Sequence, residues 1–181
     1  NPSETSKVVF NEDDSVDILV GTQSNGQGHE TTYAKFLSDQ TGIPYEKINV
    51  IQGDSDLILK GGGTGGSRSS TVQNNATLVT VDAMIEGFSS FLAEKFGVPF
   101  QNISFDYENF HIIGSNLSPS LLDCANLART DGRSDLLAYQ STATLEARSF
   151  PNGAHVAEVE IDPATGVVIL DRYTVVDDFG T

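Results

Sequence analysis

The chain has 181 residues, 38% of them hydrophobic and 19% charged, which excludes a disordered polypeptide and is enough for one domain that buries about 70% of its unfolded surface without staples. Ten Lys and Arg stand against 25 Asp and Glu, a net charge of −15, so the long-range field repels phosphate backbones and anionic membranes and argues against a nucleic-acid partner. Cys124 is the single cysteine, which excludes an internal disulfide, a thiolate zinc site and an iron–sulfur cluster held by this chain alone, and fits a reducing, cytoplasmic setting.

In chain order, the sequence opens at Asn1 without an initiator Met, as expected of a processed product or a piece of something longer. It carries no basic-then-apolar leader and no apolar run of the ~18 residues a membrane span needs. "KVVF" and "SVDILVG" flank the acidic turn "NEDD" as a hairpin, with Val16, Ile18 and Val20 alternating on one face. "NGQGHET" then fills a corner before the helical spacing of Tyr33, Phe36 and Leu37, which runs to about Gln40 and stops at Gly42. A strand is predicted over "INVIQ" (48–52). The loop "GDSDLILKGGGTGGSRSS" follows and opens a second, longer helix. Leu78, Val81, Ile85, Phe88, Leu92 and Phe96 form one apolar stripe of that helix, and Val72, Ala76, Val79 and Ala83 an adjacent one, so it is expected to be buried on more than one side.

"GIPYEKINV" and "GVPFQNISF" share one pattern of glycine, β-branched residue, proline, aromatic and strand entry. Both helices are therefore expected to leave through the same kind of exit and to pack on one sheet. "ISFDYENFHIIG" reads as a hairpin, and "SPSLLDCANLA" as a short helix with Ser118 at the N-cap and Pro119 in its first turn. "LLAYQSTATLEAR" alternates as a strand, and "AHVAEVEIDPATGVVILDRYTVVDD" is a long hairpin about "DPATG". With no linker visible, residues 1–181 are expected to form one α+β domain: a mixed sheet with two main helices packed on it, the second long, plus β-hairpins.

The chemistry-bearing candidates are few. "HET" lacks the second histidine of a zinc helix, and Glu30 in a first helical turn suits the helix dipole. His155 and Glu158 are three apart on a strand and point to opposite faces. The acidic clusters at Asp54 to Asp56 and Asp177 to Asp178 lack calcium-loop spacing and suit turns or solvated faces. No Ser-His-Asp or Cys-His order stands out, and "GGSRS" has no identifiable base for Ser67. The two glycine corners share an architecture. At the second, Gly65 and Gly66 expose backbone N–H groups, Ser67 and Ser69 add hydroxyls, and Arg68 a fork of donors at a helix start. Spacing alone leaves two options open: a pair of structural turns, or a two-loop cradle for a phosphate-bearing ligand, with a non-enzymatic binding or interaction domain as the alternative to an enzyme.

"GQGHETTYAKF", "GTGGSRSS" and "PNGAHVAEVEIDPATGVVILDRYTVVDD", in that order over essentially the whole chain, resemble the molybdenum-binding large subunit of the xanthine dehydrogenase, aldehyde oxidase and carbon monoxide dehydrogenase family. The resemblance implies that the Gln27 amide approaches the molybdenum end of a molybdopterin, with Gly26 and Gly28 letting the loop lie against the pterin. It implies that Gly65, Gly66, Ser67 and Ser69 hold the pterin and, in a cytosine dinucleotide form, its phosphates, with His29 and Arg68 as neighbours. The family's general-base glutamate lies in a Gly-Glu loop beyond the position matching Thr181, and the preceding half of its molybdenum domain has no counterpart here. The chain thus resembles part of an oxidoreductase that hydroxylates a small-molecule substrate with oxygen from water. Its implied partners are the rest of the molybdenum subunit and iron–sulfur and flavin modules. The isolated stretch is expected to hold no cofactor and to show no oxidase activity.

Overall fold

The structure, a computed structural model, describes residues 2–147 and 151–178, which fall into two compact units, Asn1–Ala147 and Arg148–Thr181. The first contains β1 (Ser3–Phe10), β2 (Val16–Val20), α1 (His29–Thr41), β3 (Ile48–Gln52), α2 (Ser69–Phe96), β4 (Ile103–Phe105), β5 (Phe110–Ile112), α3 (Leu121–Thr130) and β6 (Ala138–Thr144). Its main sheet has the order β3-β2-β1-β6. β2 and β3 are parallel, whereas β1 pairs antiparallel with both of its neighbours. This is the expected α+β architecture, a mixed sheet carrying two main helices.

β1 alternates strictly, burying Glu4, Ser6, Val8 and Phe10. The inward face is therefore polar at the start of the strand and apolar at its end. α2 packs on β1 and β6 and matches that gradient. Its early turns bury Gln73, Thr77 and Thr80, and its later turns Met84, Phe88, Phe91 and Leu92. The expected apolar stripes hold at Val72, Ala76, Val81, Phe88 and Leu92 and need correction at Leu78, Val79 and Phe96, which face outward, while hydroxyl and amide side chains share the buried positions of the early turns. They are satisfied there: the Gln73 amide donates to Thr5 O (3.2 Å), Thr77 Oγ1 to Ser6 Oγ (3.1 Å) and Thr80 Oγ1 to Ser6 O (3.3 Å), as buried polar groups must be. The apolar end centres on Phe88, edge-on to Phe10 at 5.6 Å and to Phe110 at 6.5 Å, and each such ring contributes about 2 kcal/mol by leaving water. By length and composition α2 could cross a membrane, yet 56% of its most apolar window is buried within the protein, as befits a core helix.

The two helix exits repeat closely. Gly42 (φ 66°) and Gly97 (φ 64°) cap α1 and α2 in the left-handed region, and in each case a proline and a single 3-10 turn lead into the next strand. The strands they deliver differ, since β3 joins the main sheet and β4 forms a separate two-stranded sheet with β5. α3 begins later than expected. Ser120 is the N-cap, and its hydroxyl accepts from Asp123 N while the Asp123 carboxylate accepts from Ser120 N, a reciprocal capping box. Ser118 and Pro119 lie before the helix because that segment is drawn against β5, with Phe110 N donating to Pro119 O (2.8 Å). The strand predicted from Leu136 shortens to Ala138–Thr144, since Leu136 closes a 3-10 turn, and its last predicted residue, Arg148, lies outside the described residues.

The second unit is the expected hairpin of β7 (Asn152–Ile161) and β8 (Val168–Asp178), with a register shift at Glu158/Val159. His155 faces Tyr173 (3.0 Å) and Asp177 (3.1 Å), and Glu158 faces Arg172 (3.8 Å), so these two residues serve separate cross-strand contacts.

Candidate functional site

β2, α1 and β3 form a β-α-β crossover, because parallel strands must be joined by a connection long enough to return to the same edge. The loop that leaves β2 and the loop that leaves β3 consequently emerge at one end of the sheet, beyond the carboxyl ends of two parallel strands, where ligands of such sheets gather. The first loop runs into α1 at Gly28 and the second into α2 at Arg68, and neither helix start carries a side-chain cap. Two positive helix ends are thereby brought to one edge.

The loops are stitched together. Gly63 N donates to Gly21 O (3.2 Å), Thr64 Oγ1 to Gln23 O (2.5 Å), and Ser69 Oγ to Thr64 Oγ1 (3.1 Å). Beneath them, the Thr22 hydroxyl meets Tyr33 OH (2.7 Å) and donates to Gln73 Oε1 (3.1 Å), tying the end of β2 to both helices. Burial raises the Tyr33 phenol above its ordinary pKa, so it serves this network as a neutral hydroxyl.

The glycines divide into two kinds. Gly21 and Gly61 lie backbone to backbone: a Cβ on Gly21 would sit 2.6 Å from Gly61 Cα, and one on Gly61 would sit 2.7 Å from Gly21 Cα. Among the described residues, Gly26, Gly28, Gly63, Gly65 and Gly66 have nothing within 4 Å of an added Cβ. All but Gly65 have positive φ, the conformation glycine adopts without strain. The first kind fastens the loops, and the second gives each loop a bare edge turned to open space.

Of the sequence candidates, Gln27 is exposed, and its Oε1 accepts from Asn25 N (2.5 Å). That bond engages the amide oxygen and leaves the amide nitrogen as the donor of this side chain. His29, the first residue of α1, is 6% exposed; its ring lies 5.3 Å from that of Tyr33, and its Nδ1 is buried with no hydrogen-bond partner among the described residues. Ser67 is exposed with φ 55°, next to Gly66 at φ 59°, so two consecutive left-handed residues form the tip of the second turn. Ser69 is buried and committed to Thr64. Arg68 differs from expectation in direction, because its guanidinium turns inward to Glu4 Oε2 (3.0 Å), Gly63 O (2.5 Å) and Ser3 O (2.8 Å).

Sequence reasoning passed over Glu4, Thr22, Gln52 and Gln73. Gln52 accepts from Ser24 N (2.6 Å) and donates to Glu30. The carboxyl of Glu30 is held below the ordinary range first by its own backbone N–H and then by Gln52. The available signal was Glu4 itself, a charged residue at an inward position of an alternating strand.

Elsewhere, Asp54 caps its own turn through Asp56 N (2.9 Å). Ser118 Oγ, His111 and Asp106 stand in a row, with 3.5 Å from Ser118 to Nδ1 and 2.6 Å from Nε2 to Asp106. The imidazole is half exposed, and Asp106 also accepts from the Glu108 and Asn109 amides, so the row closes the β4–β5 turn. The His111 bond, followed by the Asn109 and Glu108 amides, holds the Asp106 carboxyl down to about 2.

Residues 1–181 match the molybdopterin cofactor-binding domain family. The chain is 30% identical over 176 residues to the carbon monoxide dehydrogenase large chain of Afipia carboxidovorans, covering 92% of this chain and 21% of that one. It is 30% identical over 184 residues to the nicotine 6-hydroxylase large subunit of Paenarthrobacter nicotinovorans, covering 98% and 22%. The crystal structure of the carbon monoxide-reduced Cu,Mo-CO dehydrogenase superposes with a TM-score of 0.82 at 27% identity, over 98% of this chain and 23% of that one. The chain thus spans about a fifth of the length of these relatives.

Proposed function

This chain belongs to the molybdopterin cofactor-binding domain family, and on that premise we propose that residues 1–181 act as one piece of a larger domain, contributing two glycine-edged loops to the cofactor's seat in an oxidoreductase. The observation that carries this is the stitched pair of loops at the carboxyl ends of β2 and β3, with bare backbone at Gly26, Gly28, Gly65 and Gly66 and uncapped helix starts behind it. The fit to a flat, hydrogen-bond-rich, anionic group is physical. Open glycines admit close approach, N–H groups at helix ends favour anionic oxygens, and His29 Nδ1 is a buried polar atom still in need of a partner.

When bound, the cofactor supplies a redox-active metal that takes electrons from substrate. The chain's own residues bind and orient. Gln27 offers its amide N–H from the first turn, and Ser67 and the Gly65–Gly66 amides offer donors from the second. In a cytosine dinucleotide form the phosphates are assigned to the start of α2, where a local field must offset a net charge of −15. The parent protein is proposed to be a cytoplasmic enzyme that hydroxylates an aldehyde, a heteroaromatic carbon or carbon monoxide. It would work with iron–sulfur and flavin partners, and the remainder of the molybdenum subunit would provide the acid–base residue. The isolated chain is expected to be inactive.

The test is Gln27→Ala in the full-length protein. Turnover or molybdenum content is expected to fall by tenfold or more with the thermal transition in place. Unchanged activity and metal content would overturn the assignment of Gln27.

A further inference from the structure

Glu4 is the anomaly of unit 1. It lies on β1, 64 residues before Arg68, and its side chain is 1% exposed. A carboxylate removed from water is strongly destabilising unless every oxygen is engaged. Here Oε2 accepts from Arg68 (3.0 Å) and from Gly62 N (2.9 Å), and Oε1 from Thr5 N (3.1 Å). Arg68 completes a clasp by reaching Gly63 O and Ser3 O. The guanidinium therefore grips the turn that it follows. The fit is close enough that a Cβ on Gly62 would sit 2.6 Å from an Arg68 nitrogen, and a Cβ on Gly21 would collide with Glu4 Oε1.

We propose that Glu4 is a positioning residue for the second loop of the seat: through Arg68 and the Gly62 amide it fixes the backbone of residues 61–68, so that the Gly65–Gly66–Ser67 tip points its N–H groups at the ligand. This rests on the cofactor-seat reading above. The geometry distinguishes the clasp from an ordinary fold staple. Two of the groups it holds, Gly62 N and Gly63 O, belong to the turn itself. The tip beyond it has consecutive left-handed residues whose amide directions depend on where the chain is anchored at Arg68.

Glu4→Gln and Arg68→Lys in the full-length protein test the proposal. Gln keeps the shape without the charge, and Lys keeps the charge without the fork. Molybdenum and released pterin would be measured per subunit, with amide exchange at residues 62–67 and at Phe88 to Leu92 of α2. The expected result is a loss of cofactor of fivefold or more and at least tenfold faster exchange at 62–67, with α2 exchange unchanged. Glu4→Asp is expected to recover part of the content. Full cofactor content in both variants would overturn the proposal, as would exchange that accelerates equally in α2 and the turn, since the pair would then act only as a staple. If Glu4→Gln does not fold, Arg68→Lys alone decides by the same readouts. A wild-type protein that carries no pterin would refute the cofactor-seat reading instead, and loosening confined to the turn would still establish the clasp.

Discussion

Asp106 illustrates how one carboxylate ties pH to stability. Its folded pKa lies near 2, below the ordinary 3.8, so the folded state binds the proton less readily than the unfolded chain. The contribution is therefore complete above about pH 4 and is lost as pH falls towards 2. Asp106→Asn is expected to flatten the acid limb of a stability-versus-pH curve between about pH 4 and 2 and to lower stability at neutral pH, where the wild-type contribution is complete, so that the two curves converge towards pH 2, as urea unfolding at stepped pH would reveal; an identical acid limb would contradict it. The residue scale is also where the sequence was least legible. That Arg68 heads a helix next to glycines could be read from the chain, but its direction could not, because the group that turns it inward is 64 residues away on another element. Gln27 and His29 were legible as members of a corner, and their burial was not: one is exposed and the other almost wholly enclosed.

Elements were read best where local chemistry decides them. Gly42 and Gly97 end their helices as predicted because a left-handed cap followed by proline is a signal contained within a few residues. The start of α3 was misread because two serines compete there, and only Ser120 has an acidic residue at the third position to return the bond. Ser120→Ala is expected to lower the unfolding free energy by about 1 kcal/mol, while Ser118→Ala changes it by less than about 0.5 kcal/mol; guanidinium titrations of the two variants separate them, and equal effects would refute the cap assignment. The polar part of the burial along α2 escaped the sequence for a related reason. An apolar stripe is a property of one helix, whereas the polar stretch at Gln73, Thr77 and Thr80 answers Thr5 and Ser6 on β1, a property of two.

At the scale of the whole molecule, −15 charges on 181 residues repel one another in the compact state. Raising salt from about 10 to 150 mM shortens the screening length from roughly 30 to 8 Å, so the melting temperature is expected to rise by a few degrees; a fall in a calorimetric scan would mean that ion pairs such as Lys95–Asp131 outweigh the repulsion. The strand order has a further consequence, in time. β1 lies between β2 and β6, and Ser3 pairs with Thr144. During synthesis β1 therefore waits, one edge unpaired, for β6, the last described strand of its unit. Until residue 144 emerges, α2 has only part of its sheet to cover. Long-range pairing of this kind folds slowly and keeps sticky intermediates alive. This stretch of the nascent chain, with the long helix α2 not yet covered, is thus the form most in need of a chaperone.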